Sequence, residues 1–381
     1  MKTSGNDLLD TDVYGTQDEV KQYSIFHTLY RDLYNIDFRN TFFALNLNET
    51  NHKKILNHDY KKIVISYHIE HIHYQPLYDI FNNNKDRQFL LLSNFSSFYL
   101  PNDIAEHDFW PDNVTALQWI SWGEQLKTAE KISGIAEKPR VPTKKLSSFT
   151  NRHEYHKAAV TAFIFKKFKK DETLVSWHGW QATEKVYYLE EYYNIDNEIK
   201  KYIFDPDFKN IKKLKVDNFS LLDNQPDQNI KWKHEAYLNC AVNVTNESTF
   251  QSIGKLNTGK IVTIPGPYIT EKTIKPLLAG TAFLSVGQPF LLEKFNEMGL
   301  CTDFGFSSDY DKEPYEDERI LKIYNTLKEI HNTPTQEIYE NSYAAINHNL
   351  KHIKSGRFLE NCKKYNAKNI NTIINWNSNN S

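Results

Sequence analysis

The tetrad Thr270-Glu271-Lys272-Thr273 sets a carboxylate beside an ammonium where a helical apolar run begins. Free N–H groups at a helix start, next to such a pair, can hold a pyrophosphate and a ribose diol together. The plain alternative is a surface helix with two ordinary charges in its first turn. The full string, residues 268 to 289, reads YITEKTIKPLLAGTAFLSVGQP. Gly280 is the residue type on which helices stop, and Thr281-Ala-Phe-Leu-Ser-Val-Gly287 has the composition of a buried strand.

A second group lies in Ser66-Tyr-His-Ile-Glu-His-Ile-His73, at the end of an apolar run. Glu70, or His68 beside it, is placed to act as a general base where α/β sheets bind ligands. His68, His71 and His73 also read as a metal site or as ordinary half-exposed strand residues. Carboxylates at metal-ligand spacing are missing, and Asp59 and Asp103 are weaker choices of base.

Short apolar runs at 61–67, 88–93 and 115–122, with connections of about 20 residues, have the cadence of an alternating α/β layer with a mainly parallel sheet. Residues 124–146, with Gly134, Pro139 and Pro142, read as a linker. A second set follows: strand 145–149, an amphipathic helix over 151–168, strand 174–176, a helix at 184–193 and a strand at 236–244. Beyond the 268–289 segment come helices at 291–298, 318–331, 335–354 and 356–368, then an Asn-rich tail from 369. Domains are expected at 1–140 and 141–335, with 336–381 as C-terminal helices that have the option of crossing back to the first domain.

A chain of 381 residues with 40% hydrophobic content is long enough for two cores. No run approaches the roughly 20 apolar residues of a membrane span, and the start MKTSGNDLLD lacks the regions of a signal peptide, so a cytoplasmic protein is expected. The three cysteines have no CxxC spacing and read as reduced thiols. Net charge is only −2, but Lys131 to Lys170 holds eleven Lys or Arg against two Glu. Such a stretch could face a polyanion, or be a solvated face.

The succession of a strand, Asn151-Arg152-x-x-x-His156, a strand ending in Thr245-x-Glu247-Ser248-Thr249, then YITEKTIKPLLAG, resembles phage-encoded glycosyltransferases of GT-B type. Their TEK helix is similar to the donor motif of alpha-1,3-fucosyltransferases. The resemblance covers about 235–320 and 145–180. It implies two Rossmann-like domains facing across a cleft, the N-terminal one for the acceptor and the C-terminal one for a UDP- or GDP-linked sugar, with no metal. It further implies that Glu271 bonds the ribose hydroxyls, that Lys272 and Arg152 neutralise the diphosphate, and that Asn151, Glu247, Tyr268 and Thr270 line the donor pocket. The plain alternatives are a surface cation at Arg152, a cap at Glu247 and packing at Tyr268.

Two departures qualify the match. Pro276 would break a helix interior, so the helix either begins near Lys275 or is kinked. Ile274 replaces another large residue, so sugar choice does not carry over. The phage context and the basic stretch point to double-stranded DNA carrying a 5-hydroxymethylpyrimidine, such as 5-hydroxymethylcytosine, as acceptor. A flipped base would then stack on Trp119, Trp122 or Trp177. A glycan or small metabolite is the competing acceptor, and a catalytically silent DNA-binding GT-B module the reading from another class.

Overall fold

The computed structural model describes residues 31, 42–45, 61–67, 74–93, 111–120, 122–123, 126–127, 130, 134–150, 154–177, 195–209, 235–247, 250, 253–255, 261–263, 267, 269 and 271–378. The chain forms two compact α/β units, each discontinuous in sequence. The first takes residues 1–128, 253–268 and 359–381, the second 129–252 and 269–358.

In the first unit β1 (Phe42–Leu45), β2 (Lys62–Tyr67), β3 (Gln88–Ser93) and β4 (Val114–Gln118) pair in that order, all parallel, with helix α1 (Tyr74–Asn83) between β2 and β3. Ile63-Val-Ile65 and Phe89-Leu-Leu-Leu92 are buried without alternation, as strands covered on both faces must be. The run expected as one strand over 115–122 stops at Gln118. Beyond it the Asn366 side chain takes over the backbone of Ile120, accepting from its N–H at 3.0 Å and donating to its C=O at 2.9 Å.

Asn366 belongs to the last helix, Arg357–Ser378, which runs on through the Asn-rich segment expected to be a tail. Its C-terminal carbonyls, those of Trp376 and Asn377, accept from the buried Lys62 ammonium at 2.8 Å each. A cation on those carbonyls favours helix over frayed chain.

The second unit begins with β5 (Lys144–Thr150), α2 (Tyr155–Lys167), β6 (Thr173–Trp177) and α3 (Asn197–Ile203). Then come β7 (Cys240–Asn246), α4 (Glu271–Ala279), β10 (Ala282–Val286), α5 (Leu291–Glu297), α6 (Glu316–Asn332) and α7 (Thr335–Lys354). Strands β8 (Ile253–Lys255) and β9 (Ile261–Thr263), an antiparallel pair within the first unit, fall between β7 and α4 in sequence. The second sheet is parallel throughout, in the order β10-β7-β5-β6. The chain order therefore reverses between β5 and β7.

Three expectations change here. The strand read over 236–244 opens as a helical turn, Glu235–Leu238, and β7 starts only at Cys240, where the Asn239 carbonyl begins the pairing with β5 by accepting from the N–H groups of Thr143 and Lys144. Helix α2 is not amphipathic: residues 155–164 are all buried, since the sheet lies on one side and α3 and α6 on the others. Phe163 stacks on Tyr324 at 4.4 Å, and the Tyr324 hydroxyl donates to the Ala159 carbonyl.

Helix α4 begins at Glu271 and carries Pro276 inside it, so it does not wait for Lys275. Its end is a Schellman closure: Thr281 N–H donates to Pro276 O at 3.1 Å and Gly280 N–H to Leu277 O at 3.4 Å. Gly280 has φ +67°, and a Cβ there would lie 2.6 Å from Leu350 Cδ1. The helix read at 184–193 lies outside the described residues. No helix among the described residues is long and apolar enough to cross a membrane.

Helix α5 starts from Phe290, a non-glycine residue at φ 63° with no side chain able to cap. Asp311 supplies the cap from a distance. Its carboxylate accepts from Leu292 N–H at 3.0 Å and Glu293 N–H at 3.2 Å, while its carbonyl accepts from Phe290 N–H at 2.6 Å. Burial pushes Asp311 up to about 6, the capping bonds working the other way. Burial also raises Glu316 to about 7, against the pull of Arg319. Groups raised above their free values of about 4 stabilise the fold at acid pH and lose that contribution as pH rises. We expect the thermal midpoint to fall between pH 4 and 7 through these two groups. Asp311→Asn, which keeps an acceptor oxygen, should flatten that slope between pH 4 and 6 when melting is followed by circular dichroism.

Candidate functional site

Open parallel sheets bind ligands beyond the carboxyl ends of their strands, at the point where strand order reverses. In the second unit that point lies between Thr150, the end of β5, and Asn246, the end of β7. Residue Glu247 follows directly on β7, and α4 begins at Glu271-Lys272 on the way to the neighbouring strand β10.

Glu247 is 0% exposed and is held from three sides. Its N–H donates to Val286 O at 3.0 Å, extending the β7–β10 ladder. Its carbonyl accepts from His156 Nε2 on α2 at 2.9 Å. Its carboxylate accepts from the Thr273 hydroxyl in the first turn of α4. Burial, aided by the Lys157 charge, holds His156 well below its ordinary range, so the ring is neutral and Nε2 carries the donated proton.

The His156 ring stacks on Phe250 at 4.8 Å, and the buried Arg319 guanidinium lies 4.0 Å over the same Phe250 ring. Arg319 donates through its two terminal nitrogens to the carbonyls of Glu313, Pro314 and Phe250, while its buried Nε has no partner.

Polar side chains thicken toward this edge. Asn246 Nδ2 donates to Ser148 Oγ at 2.9 Å and Thr150 Oγ1 at 3.2 Å, leaving Oδ1 buried with no partner. Turning the amide over would only exchange which atom lacks one. Ser285 on β10 and Ser176 on β6 likewise bury an unpartnered hydroxyl oxygen. All three stand in the last two residues of their strands. Mid-strand, by contrast, Asn243 is bonded to Ser147, Tyr237 and Thr281.

Of the residues singled out in the sequence, Glu247 and the start of α4 at Glu271-Lys272 come together at this edge, with Lys272 half-buried. The Glu271 side chain lies outside the described residues, as do Asn151, Arg152, Tyr268 and Thr270. So do Glu70, His68, His71 and His73. Among the described residues no group of three or more His, Cys, Asp or Glu gathers as a metal site. His156, Thr273 and Asn246 were not selected as site residues. The Asn-Arg-x-x-x-His spacing and the Thr after Glu-Lys were the available signals.

One support for a polyanion partner gives way. Trp119, Trp122 and Trp177 are at most 1% exposed and cannot stack an extruded base. Much of the basic stretch is engaged within the unit: Lys157 pairs with Glu154 at 3.1 Å, Lys166 with Asp205 at 2.8 Å and Lys169 with Glu172 at 3.7 Å. Lys144 and Lys145 donate to the carbonyls of Asp171 and His331. Compared with family models, curated proteins and solved structures, the chain matches none of them.

Gly287 follows β10, and a Cβ there would meet Glu247 Cβ and Cγ at 3.3 Å and Ser285 Oγ at 3.4 Å. Gly287→Ala therefore presses on a residue that cannot yield. A loss of about 1–2 kcal/mol, the usual scale of mild overpacking, is expected in chemical denaturation of the full chain.

Proposed function

We propose that the chain is a GT-B-type glycosyltransferase that moves a sugar from a UDP- or GDP-linked donor to a hydroxyl acceptor. The observation that carries this reading is the meeting of Glu247 with the first turn of α4 at the switch point of the second sheet. The same two segments carry the TEK resemblance, so topology and motif indicate one place. Three unpartnered buried oxygens at that edge are the features a hydroxyl-rich ligand would satisfy.

In this reading the α4 N-terminus and Lys272 take the diphosphate, joined by Arg152, which follows β5 by two residues. Negative charge develops on the nucleoside diphosphate as the glycosidic bond breaks, and cations and free N–H groups stabilise it. Since α4 begins at Glu271 despite Pro276, its first-turn N–H groups share this work. Glu271 takes the ribose hydroxyls, and Glu70 or His68 removes the acceptor proton.

For the acceptor, the buried tryptophans favour a glycan or small hydroxyl compound over duplex DNA. The test is incubation of the full chain with a panel of nucleotide-sugars and with glycan, small-molecule and hydroxymethylated DNA acceptors, read by mass shift. Transfer or hydrolysis of one donor, lost on Glu271→Ala, is the expected result. If no donor is consumed and Glu271→Ala leaves nucleotide binding unchanged, the reading is wrong. DNA binding that collapses steeply with added salt would return DNA as the acceptor.

A further inference from the structure

The Thr273 hydroxyl joins α4 to Glu247 through a side chain. Thr273 is fully buried, so its hydroxyl is not a surface cap. It has a single proton and two oxygen neighbours, the Glu247 carboxylate and Thr245 Oγ1 at 3.2 Å. The carboxylate is the stronger acceptor and takes it. Thr245 then turns its own proton toward Thr273 or toward Leu284 O at 3.4 Å.

The restraint runs in one direction. Glu247 is fixed through both backbone groups, by Val286 and His156, and its side chain passes so near Gly287 that a Cβ there would crowd it at 3.3 Å. The far end of α4 is fixed by its Schellman closure and by Leu350 against Gly280. What the Thr273 hydroxyl decides is the placement of the first turn, which carries Glu271 and Lys272.

We infer that Thr273 is a positioning residue: by donating to the buried Glu247 carboxylate it sets the turn that presents Glu271 and Lys272 to a nucleoside diphosphate. Glu247 acts through Thr273 in this arrangement, its 0% exposure placing it behind the ligand and not against it. The inference rests on the nucleotide-sugar reading of the site and adds which hydrogen bond tunes it.

The test is titration calorimetry of the full chain with UDP and with GDP, alongside circular dichroism and melting, for the wild type, Thr273→Ser and Thr273→Val. Thr273→Val should bind the preferred diphosphate roughly tenfold more weakly, the factor carried by a hydrogen bond of about 1.4 kcal/mol. Thr273→Ser, which restores the hydroxyl, should bind within about twofold of the wild type, the scatter between independent sites. A lower melting point for Thr273→Val with unchanged affinity means the hydroxyl serves stability alone and overturns the inference. Should wild type bind neither diphosphate, the nucleotide-sugar reading itself fails and takes the inference with it.

If Thr273→Val does not fold, the comparison is made in Glu247→Gln, whose neutral amide tolerates the missing donor. There Thr273→Val should weaken binding less than tenfold relative to Glu247→Gln alone, because the charge that strengthened the bond is gone. A full tenfold loss in that background overturns the inference.

Discussion

The carboxylate of Glu247 lies out of water at the end of β7, and its bonds join elements far apart in sequence. Burying a carboxylate costs several kcal/mol unless its oxygens are bonded. The Thr273 hydroxyl supplies one such bond, and it sits in the first turn of α4. The His156 bond to the Glu247 carbonyl brings in α2, and through it the segment that leaves β5. One residue thus ties both sides of the switch point to the helix that follows. A sheet edge whose loops were held only by apolar packing could shift by an ångström at little cost. An edge held by a buried carboxylate cannot, because each displaced bond exposes an uncompensated group.

The chemistry beside Glu247 explains why His156 stays neutral. Phe250 has the His156 ring stacked on it and the Arg319 guanidinium over the same ring. A second cation there would be desolvated by the surrounding core and repelled by Lys157 and, less strongly, by Arg319, so the imidazole keeps only the proton donated to Glu247. Arg319 in turn is bonded to carbonyls, without direct ion pairing in the bonds described for it. Its charge still acts on Glu316, although not enough to offset that carboxyl's burial.

The elements were largely legible, because buried parallel strands and long helices leave strong patterns. Strand 88–93 and helix 335–354 fall on the residues expected, and Gly280 closes α4 as its position in the sequence suggests. The misses have one cause: tertiary partners that local patterning does not show. Residues 236–238 are apolar enough for a strand, but pairing with the strand beside them begins only at the Asn239 carbonyl. The polar tail after 369 is helical because a lysine from β2 receives its end. Pro276 left two readings, a helix beginning near Lys275 or a kinked one, and the helix begins at Glu271 with Pro276 inside it. At the site, the charged pair and Glu247 were legible by type. Thr273 was not, since a threonine shows nothing of its value until its carboxylate neighbour is buried.

Parallel sheets covered on both faces ordinarily read as continuous Val, Ile and Leu. The first sheet does so at Ile63-Val-Ile65 and Phe89-Leu-Leu-Leu92, whereas β5 and β7 of the second carry Ser147, Ser148, Thr150, Asn243, Thr245 and Asn246, all buried. A polar side chain in such a place must be bonded or it weakens the fold. In mid-strand that demand is met, as at Asn243. At the carboxyl ends it is met at Thr150 and Thr245, but Asn246, Ser285 and Ser176 each keep an atom without a partner. If polarity in this sheet served packing alone, the unpartnered side-chain oxygens described for it would not all stand in the last two positions of their strands. The deficit instead lies at the edge where Glu247 and α4 meet, which is where a ligand rich in hydroxyl groups would supply the missing donors.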